Sequence, residues 1–329
     1  MFTPHSFALA LTLTILSTVF WGSWANSYKG VRDYPFALFY WDYILGVVLC
    51  AIGFALTLGS HGADGEAFLT NLATADRANL LFALLAGAIF NVANLLLVTA
   101  IGVTGLAIAF PIAIGIAVVE GVLLSYVLQP KGNLAFLAGG VALALLAVIL
   151  NARAYGSIAG AIGQDAKRLR LGVVLSLVSG VLMGGFAPFV TRAMTTGHAL
   201  TPYSVSVLFG VGALLCCLIF NTYLMRHPID GPRVTFGEYA QAEARNHALG
   251  LLGGVAWGFG GCLNFIAAGF VGVPISYAIG QSAPLIAAAW GVFVWREFAG
   301  APARAWRMLG LMTLCYLAAI GLIALAYGG

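Results

Sequence analysis

Leu84 to Leu128 reads LLAGAIFNVANLLLVTAIGVTGLAIAFPIAIGIAVVEGVLLSYVL, and Leu251 to Trp295 reads LLGGVAWGFGGCLNFIAAGFVGVPISYAIGQSAPLIAAAWGVFVW. Laid on each other at a constant offset of 167 residues, the two need no gap and agree at ten of forty-five positions, where roughly four would be expected from so apolar a composition. Each stretch is long enough for two spanning helices about a small-residue turn. The chain therefore carries one helix hairpin twice, and a repeat of this kind predicts two related halves with a substrate path between them.

The composition fits that reading and excludes others. Hydrophobic residues make up 61% of the 329, charged residues 8%, and the mean hydropathy is +0.99, whereas soluble domains carry about a quarter charged residues. The net charge of +4 comes from basic residues scattered through short loops, so no face is set aside for nucleic acid. Cys50, Cys216, Cys217, Cys262 and Cys315 lie inside apolar runs without metal-ligand spacing, which suits core packing. There is no nucleophile elbow, phosphate loop or His/Cys cluster, so neither an enzyme nor a cofactor or metal site is expected. His5, His61, His198, His227 and His247 fall in loops, termini or span ends and read as solvated. The start, MFTPHSFALALTLTILSTVFWGSWAN, resembles a cleaved leader but lacks its positive n-region, and is expected to be the first span.

Ten runs reach the roughly 20 residues a spanning helix needs: 7–28, 35–58, 78–100, 104–128, 134–151, 171–193, 201–224, 247–268, 272–296 and 305–327. Pooled by alternate loops, Lys29, Arg32, Arg153, Lys167, Arg168, Arg170, Arg226, Arg233, Arg245, Arg296, Arg304 and Arg307 fall on one side, and only Arg77, Lys131 and Arg192 on the other. The first side is then cytoplasmic and both termini face outward. FWGSWANSYKG (20–30) also lies over LMGGFAPFVTR (182–192) at an offset of 162, with Gly22 over Gly184 and Ala25 over Ala187. Five spans separate the copies, so the second enters from the opposite face. The expected fold is all-α: ten transmembrane helices as a five-plus-five inverted repeat, with residues 1–155 and 171–329 as the halves and 156–170 as a cytoplasmic linker. Thr235 and Glu238 are spaced as a capping box, which predicts a short interfacial helix.

Few polar residues lie inside the spans. Asp42 in YWDY and Glu120 in VVEG are the carboxylates well inside apolar runs, and either could carry a coupling proton; Asp42 could instead pair with Lys29 or Arg32, and Glu120 could be a neutral buried acid. Asn26, Asn91, Asn94, Asn264 and Gln281 offer donors and acceptors suited to amide, urea or sugar groups, or to interhelical bonds. Trp21, Trp24, Phe90, Trp257, Phe265, Tyr277 and Trp290 could wall a flat ligand or simply pack. Pro111 and Pro284 interrupt spans 4 and 9, and a helix broken at membrane depth is tolerated where it lines protein or a wet cavity.

Ten spans, the repeat and the tight hairpins resemble the drug/metabolite transporter superfamily. Within it, GFGGCLNF (258–265), AIGQSAPLIAAAWGVFVWREF (278–298), FNTYLMRHPIDGP (220–232), FWGSW and YWDY resemble the ureide permeases. That resemblance carries over Trp24, Asp42, Asn94, Asn264, Gln281, Pro284 and Glu297. It implies uptake of allantoin, uracil and related oxo-purines and pyrimidines with protons; the two halves are expected to give alternating access by rocking around a mid-membrane site. The plant members place an acid where this chain has Phe110, and are apolar where it has Glu120. The expected substrate site is Trp24, Asn94, Asn264, Phe265, Tyr277 and Gln281, with Asp42 or Glu120 coupling and Pro111 and Pro284 as breaks. The expected partners are a small-molecule substrate, a proton or Na⁺ and the bilayer of the cell inner membrane, with the chain a monomer or homodimer. Sugar symport, as in the related glucose/ribose porters, is the rival reading; a drug or lipid exporter and a non-transporting scaffold stand further off.

Overall fold

The computed structural model describes residues 1–158 and 166–328, all helix and connecting loop, with no strand among them. The first half holds α1 (Phe7–Ser23), α2 (Ala25–Lys29), α3 (Phe36–Leu56), α4 (Phe68–Thr74), α5 (Arg77–Thr104), α6 (Leu106–Leu128) and α7 (Leu134–Gly156). The second holds α8 (Ala166–Thr195), α9 (Pro202–Arg226), α10 (Phe236–Gln241), α11 (Ala244–Val271), α12 (Val273–Gly280), α13 (Ala283–Ala289), a π-helical turn (Trp290–Val294) and α14 (Ala303–Gly328). Ten of the described helical segments are long and apolar enough to cross a membrane, α1 with α2 forming one and α12 with α13 and the π turn another. The protein is a multi-pass membrane protein.

Helix ends follow local chemistry. Ser6, Asn133 and Thr201 cap α1, α7 and α9 through their side-chain oxygens, which satisfies amides the first turn leaves unpaired. Thr235 and Glu238 form the reciprocal capping box of α10. The two hairpin turns are the same turn: Gly105, at φ +81° and ψ 162°, and Gly272, at φ +92° and ψ 151°, occupy aligned positions of the repeat. That conformation is open chiefly to glycine.

Glycines also set the crossings, because lipid gives helices no hydrophobic reason to associate and backbones must approach closely. A Cβ on Gly87 of α5 would stand 1.9 Å from the Phe209 carbonyl of α9, and one on Gly212 of α9 2.0 Å from the Leu84 carbonyl. The other half repeats this: a Cβ on Gly254 of α11 would stand 1.9 Å from the Tyr43 carbonyl of α3, and one on Gly46 2.4 Å from the Leu251 carbonyl. Gly87 and Gly254 are 167 residues apart.

Two expectations are corrected. Pro111 does not interrupt span 4, for α6 runs unbroken through it. With little more than one turn preceding it, the one backbone bond it removes does not divide the helix. The break falls in span 9 alone, at Gln281 and Ser282, with Pro284 in the first turn of α13, where its missing N–H costs nothing. Secondly, α7 extends to Gly156 and α8 begins at Ala166, so both ends of the expected 156–170 linker are helical; residues 159–165 of it lie outside the described residues.

Candidate functional site

A cavity of about 410 Å³ lies between α1, α2, α5, α6, α8, α11 and the broken ninth span. It reaches Tyr28 at the end of α2, Phe36 at the start of α3 and Ile101 near the end of α5, and so lies towards the loop that carries Lys29 and Arg32. Its walls are aromatic: Trp24, Phe90, Phe110, Phe186 and Trp257 face it beside Trp21. The polar side chains among its lining residues are Asn94, Gln281 and the Tyr28 hydroxyl, and no carboxylate is among them.

The broken helix explains Gln281. It caps α12 where the backbone leaves the helical path before α13, so the carboxamide projects from the gap. It makes no hydrogen bond with another described side chain or backbone group. Asn94, 6% exposed on α5, donates from Nδ2 to the Tyr40 hydroxyl at 3.3 Å and keeps its remaining polar capacity for the cavity. Aromatic walls with two carboxamides among the lining residues suit a flat ligand carrying N–H and C=O edges.

Trp21, Phe186 and Trp257 close the cavity on the far side, as a septum. Trp21 stacks on Trp257 at 5.7 Å and donates to its carbonyl at 3.2 Å, while Phe90 stands 4.5 Å from Trp257 and 5.8 Å from Phe186. Beyond the septum is a void of about 10 Å³ walled by Ala187, Val190, Phe209, Asn264, Phe265 and Tyr277 among others. It is collapsed. Past it, Met194, Ile266 and Gly269 reach a vestibule of about 560 Å³ on the side of Glu66 and His198.

The sequence therefore placed Trp24, Asn94, Gln281 and Pro284 on the cavity, whereas Asn264, Phe265 and Tyr277 lie across the septum. Asn264 donates to the Ser276 carbonyl at 3.0 Å, and the Tyr277 hydroxyl lies 3.2 Å from the carbonyls of both Ala117 and Met183. Trp290 and Asn26 serve elsewhere: Trp290 donates to Ser23 at 2.8 Å and Trp295 to Asn26, tying the end of span 9 to span 1. Glu297 pairs there with Lys29 and accepts from Tyr155. Pro111 lines a separate groove at the side of the protein with Ile108, Arg153 and Arg304. Phe186, Met183, Tyr28 and Phe36 line the cavity without having been singled out, although Phe186 stands over Trp24 at the offset of 162.

Neither acid is on the cavity. Asp42 is 3% exposed and paired with neither Lys29 nor Arg32. It accepts from Tyr34 at 2.8 Å and Tyr239 at 2.6 Å and contacts Nδ1 of His247 at 3.0 Å, which joins α3, α10 and α11. Burial, and then the neighbouring carboxylate, push both tyrosine hydroxyls above their ordinary range, so each stays a donor. His247, expected to be solvated, is half-buried in this cage. Glu120 sits where α6 meets Gly184 and Gly185 of α8.

A sequence profile of the family described as ureide permease matches residues 39–162 and 157–326. The chain belongs to the ureide permease family. Members of this family are transporters and not enzymes. Ureide permease 1 of Arabidopsis thaliana is 25% identical over 348 residues, which span 88% of this permease and 89% of the plant protein; ureide permease 2 is 24% identical over 356 residues, with the same coverage. One solved crystal structure superposes with a TM-score of 0.63 at 16% identity over 97% of this chain and 98% of its own. That last likeness concerns the fold alone.

Proposed function

We propose that this permease imports a small flat polar heterocycle, a ureide such as allantoin or a nucleobase such as uracil or an oxo-purine, by alternating access coupled to protons. The cavity carries the reading: aromatic faces to stack on a planar ring, with the unpartnered carboxamide of Gln281 and the remaining capacity of Asn94 to meet its N–H and C=O edges. A sugar would ask for more hydrogen-bonding groups than two amides and a phenol, because each hydroxyl left unpaired in the site costs about 1–3 kcal/mol. The relatives named ureide permease support the same class.

The septum on one side and the open mouth on the other make this an inward-facing state, if the basic loops are cytoplasmic and the membrane is the cell inner membrane. The exchange of packing partners supports an inverted five-plus-five arrangement: α5 crosses α9 as α11 crosses α3. Asp42 is the candidate coupling group on this side, since a proton on it alters the hydrogen bonds that hold α10 and α11 to α3. Thermal-shift measurements on the purified protein with allantoin, uracil, xanthine, uridine, glucose and ribose test the substrate. Stabilisation by the ureide or the nucleobases is expected; stabilisation by the sugars alone would sink the reading.

A further inference from the structure

The repeat that organises the sequence also organises the cavity. Shifted by 162 residues in the first span and by 167 in the third and fourth, part of its wall falls on the walls of the small void: Ala25 on Ala187, Tyr28 on Val190, Leu97 on Asn264, Val98 on Phe265 and Phe110 on Tyr277. Trp24 and Phe90 map to Phe186 and Trp257, which stand in the septum and face both spaces. The packing obeys the same shift. A Cβ on Gly22 would meet the Ala283 carbonyl and Ile286 of span 9, and one on its counterpart Gly184 would meet the Ala117 carbonyl and Glu120 of span 4.

We propose that the void is the outward half of a two-sided substrate site, the counterpart of the open cavity in its closed form. The inference rests on the alternating-access reading and adds which residues meet the ligand in the second state. Met183, Phe186, Ala187, Val190 and Met194 follow one face of α8 at helical spacing, from cavity through septum and void to vestibule, so the route across the membrane is one column. Asn264, now spent on Ser276, becomes a wall of the open outward cavity.

One position changes character. Ala287 lines the inward cavity, and its counterpart is Glu120. Glu120 is half-buried, with its carboxylate beside Gly185 and no hydrogen bond or ion pair among the described residues. In the outward state it stands on the cavity wall together with Asn264, where the inward state offers Ala287 and Leu97. The outward site then presents Glu120 and Asn264 where the inward site has Ala287 and Leu97, whereas the inward site's Asn94 and Gln281 fall by the same shift on Gly261 and Ile114. The two states then offer the ligand different polar groups, so a ligand shifts the balance between them according to which set it binds better.

Cysteine accessibility tests this on the full chain. Ala187→Cys and Val190→Cys are close in volume to the native side chains, so the fold is kept. In intact cells each is expected to react with a membrane-impermeant maleimide roughly tenfold faster than the parent with its native cysteines, at a rate that saturating uracil or allantoin alters through the conformational populations. Ala25→Cys is expected to react in inverted vesicles instead. Both outer variants inert from either face, with Ala25→Cys reactive in the same preparation, would overturn the inference. Labelling requires no transported substrate, so the two ideas fail separately: a permease that takes up uracil while both cysteines stay inert loses only the outward site, and one that labels but carries none of the probes loses only the proposed substrate.

Discussion

Gln281 stands at the break of span 9 with its carboxamide unpartnered, whereas Asn94 has committed one N–H to Tyr40. Gln281→Ala therefore removes ligand contacts without orphaning a protein group, and should weaken binding of uracil or allantoin by up to about tenfold, from the roughly 0.5–1.5 kcal/mol of a net hydrogen bond. Calorimetric titration reads the affinity, and an unchanged folded yield separates this from damage to the fold. Asp42→Asn keeps the shape of the cage and removes the titratable charge. It should abolish proton-driven accumulation while leaving exchange of labelled for unlabelled ligand; equal loss of binding and exchange would make Asp42 a structural clamp. Both acids were legible because a carboxylate in an apolar run stands out. Their surroundings were not legible, since His247 and Tyr239 come to Asp42 from about 200 residues away. A helix apolar all round has no marked face, so nothing distinguished Phe186 from the other aromatics except its place over Trp24.

Helix ends and turns were the most legible elements, because caps, prolines and left-handed glycines are local chemistry. The ten spans lie within a few residues of their expected limits except at Gly156 and Ala166, where α7 runs on past residue 151 and α8 begins inside the basic run before residue 171. Pro111 and Pro284 looked alike in sequence and differ in structure, since the effect of a proline depends on how much helix precedes it. The π turn at Trp290–Val294 has no sequence signature of its own; the bonds from Trp290 and Trp295 to span 1 stand at its two ends. Glycine content announced close packing, and only the structure separates the crossings from the rest. Gly87→Ala and Gly254→Ala force a methyl against a carbonyl 1.9 Å away and should destabilise by about 1–3 kcal/mol each. Gly321→Ala on α14, with nothing within 4 Å of its Cβ, should be neutral or raise stability by up to about 1 kcal/mol through helix propensity. Thermal melts in detergent rank the three, and equal effects would remove the crossings as the basis of helix association.

For the whole permease, sidedness and coupling are linked. The cavity reaches the Lys29–Arg32 loop, which the charge bias assigns to the cytoplasm, so a Ser60→Cys probe near Asp64 should label from outside and a Pro232→Cys probe from inside; the reverse pattern would make the open state outward-facing. The open cavity has no carboxylate among its lining residues. Under the proposed proton coupling, the candidate groups are Asp42 in its cage on one side and Glu120 in the outward state on the other. Both routes put the proton on a conformational change and not on the ligand, so a proton gradient should drive net accumulation without being needed for exchange. In proteoliposomes with an imposed pH gradient, uptake of labelled uracil or allantoin should rise above its equilibrium level and collapse with a protonophore, while counterflow persists at zero gradient. Accumulation that survives the protonophore and follows a Na⁺ gradient would transfer the coupling from these carboxylates to a cation site elsewhere.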